Sequence, residues 1–192
     1  MSICSLYLKK YAPRIGYYIE IGAYNGKSQN STIALETAGW SGVCVEAHPN
    51  NFRKLKKNRN CKCIQGAVYN REGSITFVDV GTPGWSGIKE THQDKHKQRY
   101  NNESYIEVTV PCMTFESVAE KTNIDYLQID VEGAEIAILE SINWDKYNIK
   151  HLCIEDNLRV EQKNNTYFNK LTSLGYKLVE QLNKDFLYEQ IN

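Results

Sequence analysis

Tyr17-Tyr18-Ile19-Glu20-Ile21-Gly22-Ala23-Tyr24-Asn25-Gly26 is the stretch that decides the fold. A short strand-like run enters a turn containing two glycines, and a helix-like stretch follows from about Ser28 to Ala38. Glycine lets a backbone turn sharply and approach a ligand closely. Strand, glycine turn and helix in this order open an α/β sheet. The dinucleotide fingerprint G-x-G-x-x-G is absent, because Glu20 stands where its first glycine would be. An acid there repels a pyrophosphate and suits a cationic, amino-bearing ligand.

Further along, short apolar runs alternate with helical-period segments, the pattern of a mostly parallel sheet. Gly42 to Glu46 reads as the second strand. Pro49 opens a basic helix over Asn50 to Arg59, whose cationic side chains are expected to face solvent, and Cys61 to Gln65 is a third strand. Ser74 to Val80 alternates with period two, which suits a peripheral strand. Gly81 to Ser104 carries Pro83 and a polar run; a loop of this length in a small domain is usually functional or disordered. Tyr105 to Val110 is another alternating strand, and Thr114 caps a short helix. Ile124 to Asp130 is a strongly apolar strand ending in an acid, followed by a helix over Ala134 to Ser141 and a strand over Ile149 to Glu155. Glu161 to Leu174 is an amphipathic helix stopped by Gly175. Tyr176 to Leu182 and Phe186 to Tyr188 close the chain as an antiparallel hairpin.

The 192 residues correspond to one domain at roughly 150 residues per domain, with residues 1–16 as an N-terminal extension and 81–104 as a variable substrate loop. Lys plus Arg and Asp plus Glu both number 23, so the basic excess of a non-specific nucleic-acid binder is missing. A hydrophobic content of 41% excludes disorder as the main state. No apolar run is long enough to span a membrane, and the first residues lack a signal-peptide pattern, so a cytoplasmic, reducing location is expected. The six cysteines accordingly read as free thiols. Cys44 and Cys153 sit in apolar runs, and the single-residue spacing of Cys61 and Cys63 is too tight for a usual zinc site.

Glu46 ends the second strand, where an acid commonly accepts hydrogen bonds from ribose hydroxyls. Glu20, Gly22, Gly26 and Glu46 together point to an adenosine ligand without a pyrophosphate, a description that S-adenosylmethionine fits, and Ala23 and Asn25 of the same turn are counted among its candidate contacts. Asp130 lies at the carboxyl end of its strand, where open α/β sheets bind ligands. Glu132 and Glu135 follow it, and Glu135 is also placed to stabilise the helix N-terminus.

Three blocks taken together resemble the FkbM-type methyltransferases: E-I-G-A-Y-N-G with Gln29-Asn30-Ser31 behind it, A-G-W-S-G-V-C-V-E-A-H-P from Ala38 to Pro49, and D-Y-L-Q-I-D-V-E-G-A-E-I-A-I-L from Asp125 to Leu139. Gly84-Trp85-Ser86-Gly87 is similar to a Ser-Gly element of that family, and the likeness spans roughly Tyr18 to Tyr188. It implies a Rossmann-like class I methyltransferase fold. That fold has a mostly parallel seven-stranded sheet, helices on both faces and a C-terminal antiparallel hairpin. It also implies S-adenosylmethionine as methyl donor, with Asn30, Ala47, Ala67 and Val68 added to the cofactor contacts. Members mostly methylate hydroxyls, often on sugars, so the expected partner is a saccharide or nucleotide-sugar acceptor; a homodimer is compatible with the sequence.

Methyl transfer to a hydroxyl gains from a general base. Asp130 is the first candidate, His48 the second, and Glu155 is placed to orient the acceptor. Trp85, Ser86, Glu132, His96 and Arg99 are the candidate acceptor contacts. Asp130, Glu132, Glu155 and Asp156 offer hard oxygen ligands to Mg²⁺, but no pair of adjacent aspartates follows a strand, so a metal is not favoured. The competing readings are a methyltransferase of another small molecule or of an amino group, an NAD-binding domain, and a non-catalytic adapter with the same fold.

Overall fold

Tyr17–Ile21 forms β1, and all five of its residues are buried. The computed structural model describes residues 2–12, 14–28, 32–81, 85–91, 105–155 and 160–191. β1 lies between β2 (Ser41–Glu46) and β8 (Asn123–Ile129), parallel to both. β3 (Lys62–Gln65) extends the sheet beyond β2, and β9 (Asn148–Glu155) extends it beyond β8. β10 (Tyr176–Leu182) and β11 (Asp185–Gln190) form the closing hairpin, with β11 antiparallel to β9. The order β10-β11-β9-β8-β1-β2-β3 is the expected seven-stranded, mostly parallel sheet with a reversed last strand.

Side-chain alternation divides the core in two, because successive residues of a strand face opposite ways. Ile19, Ile21, Val43, Val45, Leu127 and Ile129 face one layer, with α5 (Glu135–Ser141) and α6 (Val160–Ser173) over it. Tyr18, Cys44, Tyr126 and Cys153 face the other, beneath α1 (Ile3–Lys10), α2 (Ile33–Thr37) and α3 (Pro49–Asn58). The segment expected as an N-terminal extension therefore supplies core: Ile3, Cys4 and Tyr7 of α1 are buried, and the Tyr7 hydroxyl donates to the Asp125 carbonyl at 3.2 Å. Of the helix expected over Ser28 to Ala38, the described part is the short α2.

A second, four-stranded sheet was not expected. It joins β4 (Ala67–Val68), β5 (Gly73–Asp79), β6 (Gly87–Ile88) and β7 (Ile106–Met113) in the order β4-β7-β5-β6. Two-residue strands such as β4 and β6 carry no periodicity, so sequence cannot announce them. Phe77 pairs with Ile88, which places ordered strand inside the stretch expected as a long loop. The short helix expected after Thr114 is α4 (Phe115–Val118).

Arg59, expected among solvated cations, is a correction. It caps α3 with an extended backbone, its side chain is fully buried, and it joins four groups, two on β1 and two on α2 and its N-cap. Its Nε donates to Glu36 at 2.6 Å, one terminal nitrogen lies 3.3 Å from Glu20, and the other donates to Tyr18 Oη at 2.7 Å and Thr32 Oγ1 at 3.0 Å. Thr32 also donates to the Glu20 carboxylate. Buried charges are tolerated when paired, and removing one partner strands the other. Arg59→Met should therefore lower unfolding free energy by about 3–5 kcal/mol, read by urea denaturation; a loss under 1 kcal/mol would mean the cluster contributes no more than a surface pair.

Candidate active site

The carboxyl ends of β1, β2 and β8 meet at one point. Gly22 and Ala23 both donate to the Val45 carbonyl, at 3.0 and 2.9 Å, and the Asp130 amide donates to Ile21 at 3.0 Å. Gly22 has φ +90, and a Cβ there would lie 1.7 Å from the Asp130 carbonyl oxygen. Only glycine permits this contact. Beyond it opens a cavity of about 280 Å³, in the crevice where open α/β sheets bind ligands. Tyr24 (φ 48) and Glu132 (φ 57) both line it and both hold left-handed backbone, uncommon for non-glycine residues and concentrated at functional sites.

Glu46 is 7% exposed on the cavity wall. Its two oxygens accept the Tyr24 and His48 amides, each at 2.8 Å. Burial pushes its pKa up to about 7, a rise only partly offset by those two bonds. Asp130 forms the floor, and burial, a hydrogen bond with Glu155 and the charges of Glu155, Glu132 and Glu135 push its carboxyl well up. Oxygens of Asp130, Glu132 and Glu155 lie within 4.8 Å of one another. Glu135 is turned away to accept the Val131 and Gly133 amides, at 3.3 and 3.0 Å, and so fixes the turn after β8.

The opposite wall comes from the second sheet. Phe77, Asp79 and Ile88 line it, with Ser86 just before β6. His48 Nε2 lies 2.9 Å from Asp79 Oδ2, while its Nδ1 is buried with no hydrogen-bond partner among the described residues. Asp79 Oδ1 accepts the Gly81 amide at 2.9 Å and the Ser86 hydroxyl at 3.3 Å. The pair ties the end of β2 to the second sheet.

A family profile described as "Methyltransferase FkbM domain" matches residues 20–182. The chain belongs to the FkbM methyltransferase family. No curated protein matches it in sequence. Among solved structures it is similar to an FkbM methyltransferase from Methylobacillus flagellatus KT, with TM-score 0.56 and 11% identity over 97% of this chain and 47% of that one. It thus spans about half the length of that protein. A methyltransferase from Pyrococcus furiosus matches with TM-score 0.52, 14% identity and 97% and 81% coverage. A precorrin-6y C5,15-methyltransferase from Geobacter metallireducens GS-15 matches with TM-score 0.52, 10% identity and 98% and 87% coverage. These likenesses show the class I methyltransferase fold.

Of the residues singled out by sequence, Gly22, Glu46, Ala47, His48, Ala67, Val68, Ser86, Asp130 and Glu132 of this FkbM-family chain line the cavity. Glu155 joins them through Asp130. Glu20 does not line it: it is paired in register with Cys44, short of the strand ends, and its carboxylate is taken up by Arg59 and Thr32. Ala23 is buried in that same layer, and Gly26 packs against Arg59 and Leu55. Asn25 folds its own turn, its Oδ1 accepting the Lys27 and Ser28 amides. Trp85 is half-buried and outside the cavity lining. Asn30, Gly84, His96, Arg99 and Asp156 lie outside the described residues. Tyr24, Asn50, Asn51, Lys54, Phe77 and Asp79 line the cavity without having been singled out. Asp79 had a signal: it ends an alternating strand in an acid, as Glu46 and Asp130 end theirs.

A carboxyl whose pKa is raised on folding binds more protons folded than unfolded, so its contribution to stability is lost as pH rises. For Glu46 the window runs from about pH 4.5 to about 7, worth on the order of 3 kcal/mol. Glu46→Gln removes this titration. The melting temperature of the variant relative to the parent should therefore rise between pH 5 and pH 8. A constant difference across that range would show that Glu46 titrates as a solvated acid.

Proposed function

We propose that this chain is an S-adenosylmethionine-dependent O-methyltransferase whose acceptor is a hydroxyl of a saccharide, borne on a glycan or a nucleotide sugar. The observation that carries the reading is two perturbed acids on one cavity, Glu46 at the end of β2 and Asp130 just past β8. Bound S-adenosylmethionine supplies a methyl group on a sulfonium centre, open to in-line displacement. Each carboxylate oxygen has two acceptor sites, so Glu46 keeps capacity for ribose hydroxyls after binding the Tyr24 and His48 amides. Gly22 offers a side-chain-free approach, and Ala47, Ala67 and Val68 offer small apolar walls to an adenine ring.

Asp130 takes the acceptor proton. A base is most effective when its pKa lies near the working pH, and burial beside Glu155 moves Asp130 in that direction. Glu155, hydrogen-bonded to Asp130, holds it oriented. His48 is the second candidate base; tied to Asp79, it is better placed to position the acceptor. Asn50, Asn51, Lys54 and Ser86 give the cavity the polar rim a sugar needs. Trp85, His96 and Arg99 complete the acceptor contacts in this reading. The donor set of Asp130, Glu132 and Glu155 also fits a hard divalent cation, which would neutralise these acids and acidify a bound hydroxyl. Six free cysteines favour a reducing compartment, and no helix among the described residues is long and apolar enough to cross a membrane.

Calorimetric titration tests the cofactor. S-adenosylhomocysteine should bind one to one and NAD should not; the reverse would overturn the reading. Asp130→Asn should keep S-adenosylhomocysteine affinity within about threefold while turnover on a saccharide acceptor falls by about 10²–10⁴. Full activity in that variant would remove Asp130 from the mechanism. Transfer to amines but not to hydroxyls would replace the acceptor class.

A further inference from the structure

Three cysteines gather on the α3 side of the main sheet, and none lines the cavity. Cys44 of β2 pairs in register with Cys63 of β3, and Cys61 stands just before β3. The Sγ atoms of Cys44 and Cys61 are in contact at 3.4 Å. Cys44 is fully buried, whereas Cys61 is partly exposed. The two therefore have different access: a reagent from solvent reaches Cys61 first, and Cys44 sits behind it.

The surroundings favour charge on Cys61. Its Sγ touches that of Cys44, and the Tyr18 hydroxyl and the Arg59 guanidinium favour its thiolate; burial and Glu36 of α2 oppose them. The balance brings its pKa down to about 7. Cys44 is pushed well up by its hydrogen bond to Cys61 and by burial, and burial with the neighbouring Cys61 pushes Cys63 up to about 12. Of Cys44 and Cys61, Cys61 ionises the more readily.

We infer that Cys61 is a redox-active thiol that reacts with hydroperoxides and is resolved by Cys44 into a Cys44–Cys61 disulfide. In the first step the Cys61 thiolate attacks the outer peroxide oxygen. The O–O bond breaks, and the departing hydroxide or alkoxide takes a proton from water. The sulfur is oxidised to sulfenic acid and the peroxide is reduced. In the second step the Cys44 sulfur attacks the Cys61 sulfur. The S–O bond breaks, and hydroxide leaves as water with the Cys44 proton. The two thiols together give up the two electrons that reduce the peroxide. This site is independent of the methyl-transfer reading.

The sequence makes the test direct. Tryptic cleavage after Lys62 separates Cys61 from Cys63, and Cys44 lies on the peptide from Ser28 to Arg53. The folded chain is first treated with limiting iodoacetamide at pH 7. Cys61 should be alkylated at least about tenfold faster than Cys63 or Cys44. After hydrogen peroxide treatment and blocking of free thiols, the map should contain the Ser28–Arg53 peptide joined to Asn60–Lys62, lighter by two hydrogens. In Cys44→Ser the sulfenic acid should persist on Cys61 and be captured by a cyclic diketone. If Cys44→Ser fails to fold, the parent map decides alone. Equal alkylation of the cysteines, a Cys61–Cys63 link, or peroxide treatment that leaves Cys61 alkylatable would each overturn the inference.

Discussion

No side chain fits at position 22, and the rest of the site depends on that. The β1 turn must pass against the Asp130 carbonyl, where even a methyl group would overlap backbone. The contact lets β1 and β8 end at the same level and lets Gly22 and Ala23 share the Val45 carbonyl of β2. Three strand ends are thereby held together, and Glu46, which ends β2, and Asp130, which follows β8, face one space. Their elevated pKa values follow from the same geometry. A crevice narrow enough to orient a ligand excludes the water that would otherwise solvate a carboxylate.

Behind the crevice lies a different kind of polar order. Arg59, Glu20, Glu36, Tyr18 and Thr32 form a buried network that ties α2 and α3 to β1. It holds the glycine turn from the far side, since the Arg59 and Leu55 side chains occupy the space that a Cβ on Gly26 would enter. The same guanidinium acts on Cys61, so one buried cation serves both the scaffold and the reactivity of a thiol. The second sheet acts from the front. Through the His48–Asp79 contact it fixes the mouth of the cavity against the end of β2.

Much of this was legible in the chain. Apolar runs wrote the parallel strands, because a strand covered on both faces has little room for polar residues. The order of Gly22, Glu46 and Asp130 wrote the site, because each ends a strand and parallel strands end on the same side. Glu20 could not be read correctly from its place in the motif. It lies within β1, on the face that α2 and α3 cover, and whether a ligand or a side chain waits there depends on α3, far along the chain. Arg59 itself reads as one more cation in a basic helix until its C-terminal turn is seen to dip into the core.

The sequence by itself determined the succession of the main-sheet strands and their helices, which residues stand at three strand ends, and the family. These are local or periodic properties, set by side-chain alternation and by the backbone freedom of a few glycines. Tertiary structure alone decided that α1 is core, that β4 to β7 make a second sheet against the cavity, that Asp79 meets His48 and that Cys61 meets Cys44. Each of these joins residues that are distant in sequence or lie on elements too short for a period. Such contacts are fixed by how layers pack, and packing is a property of the whole chain.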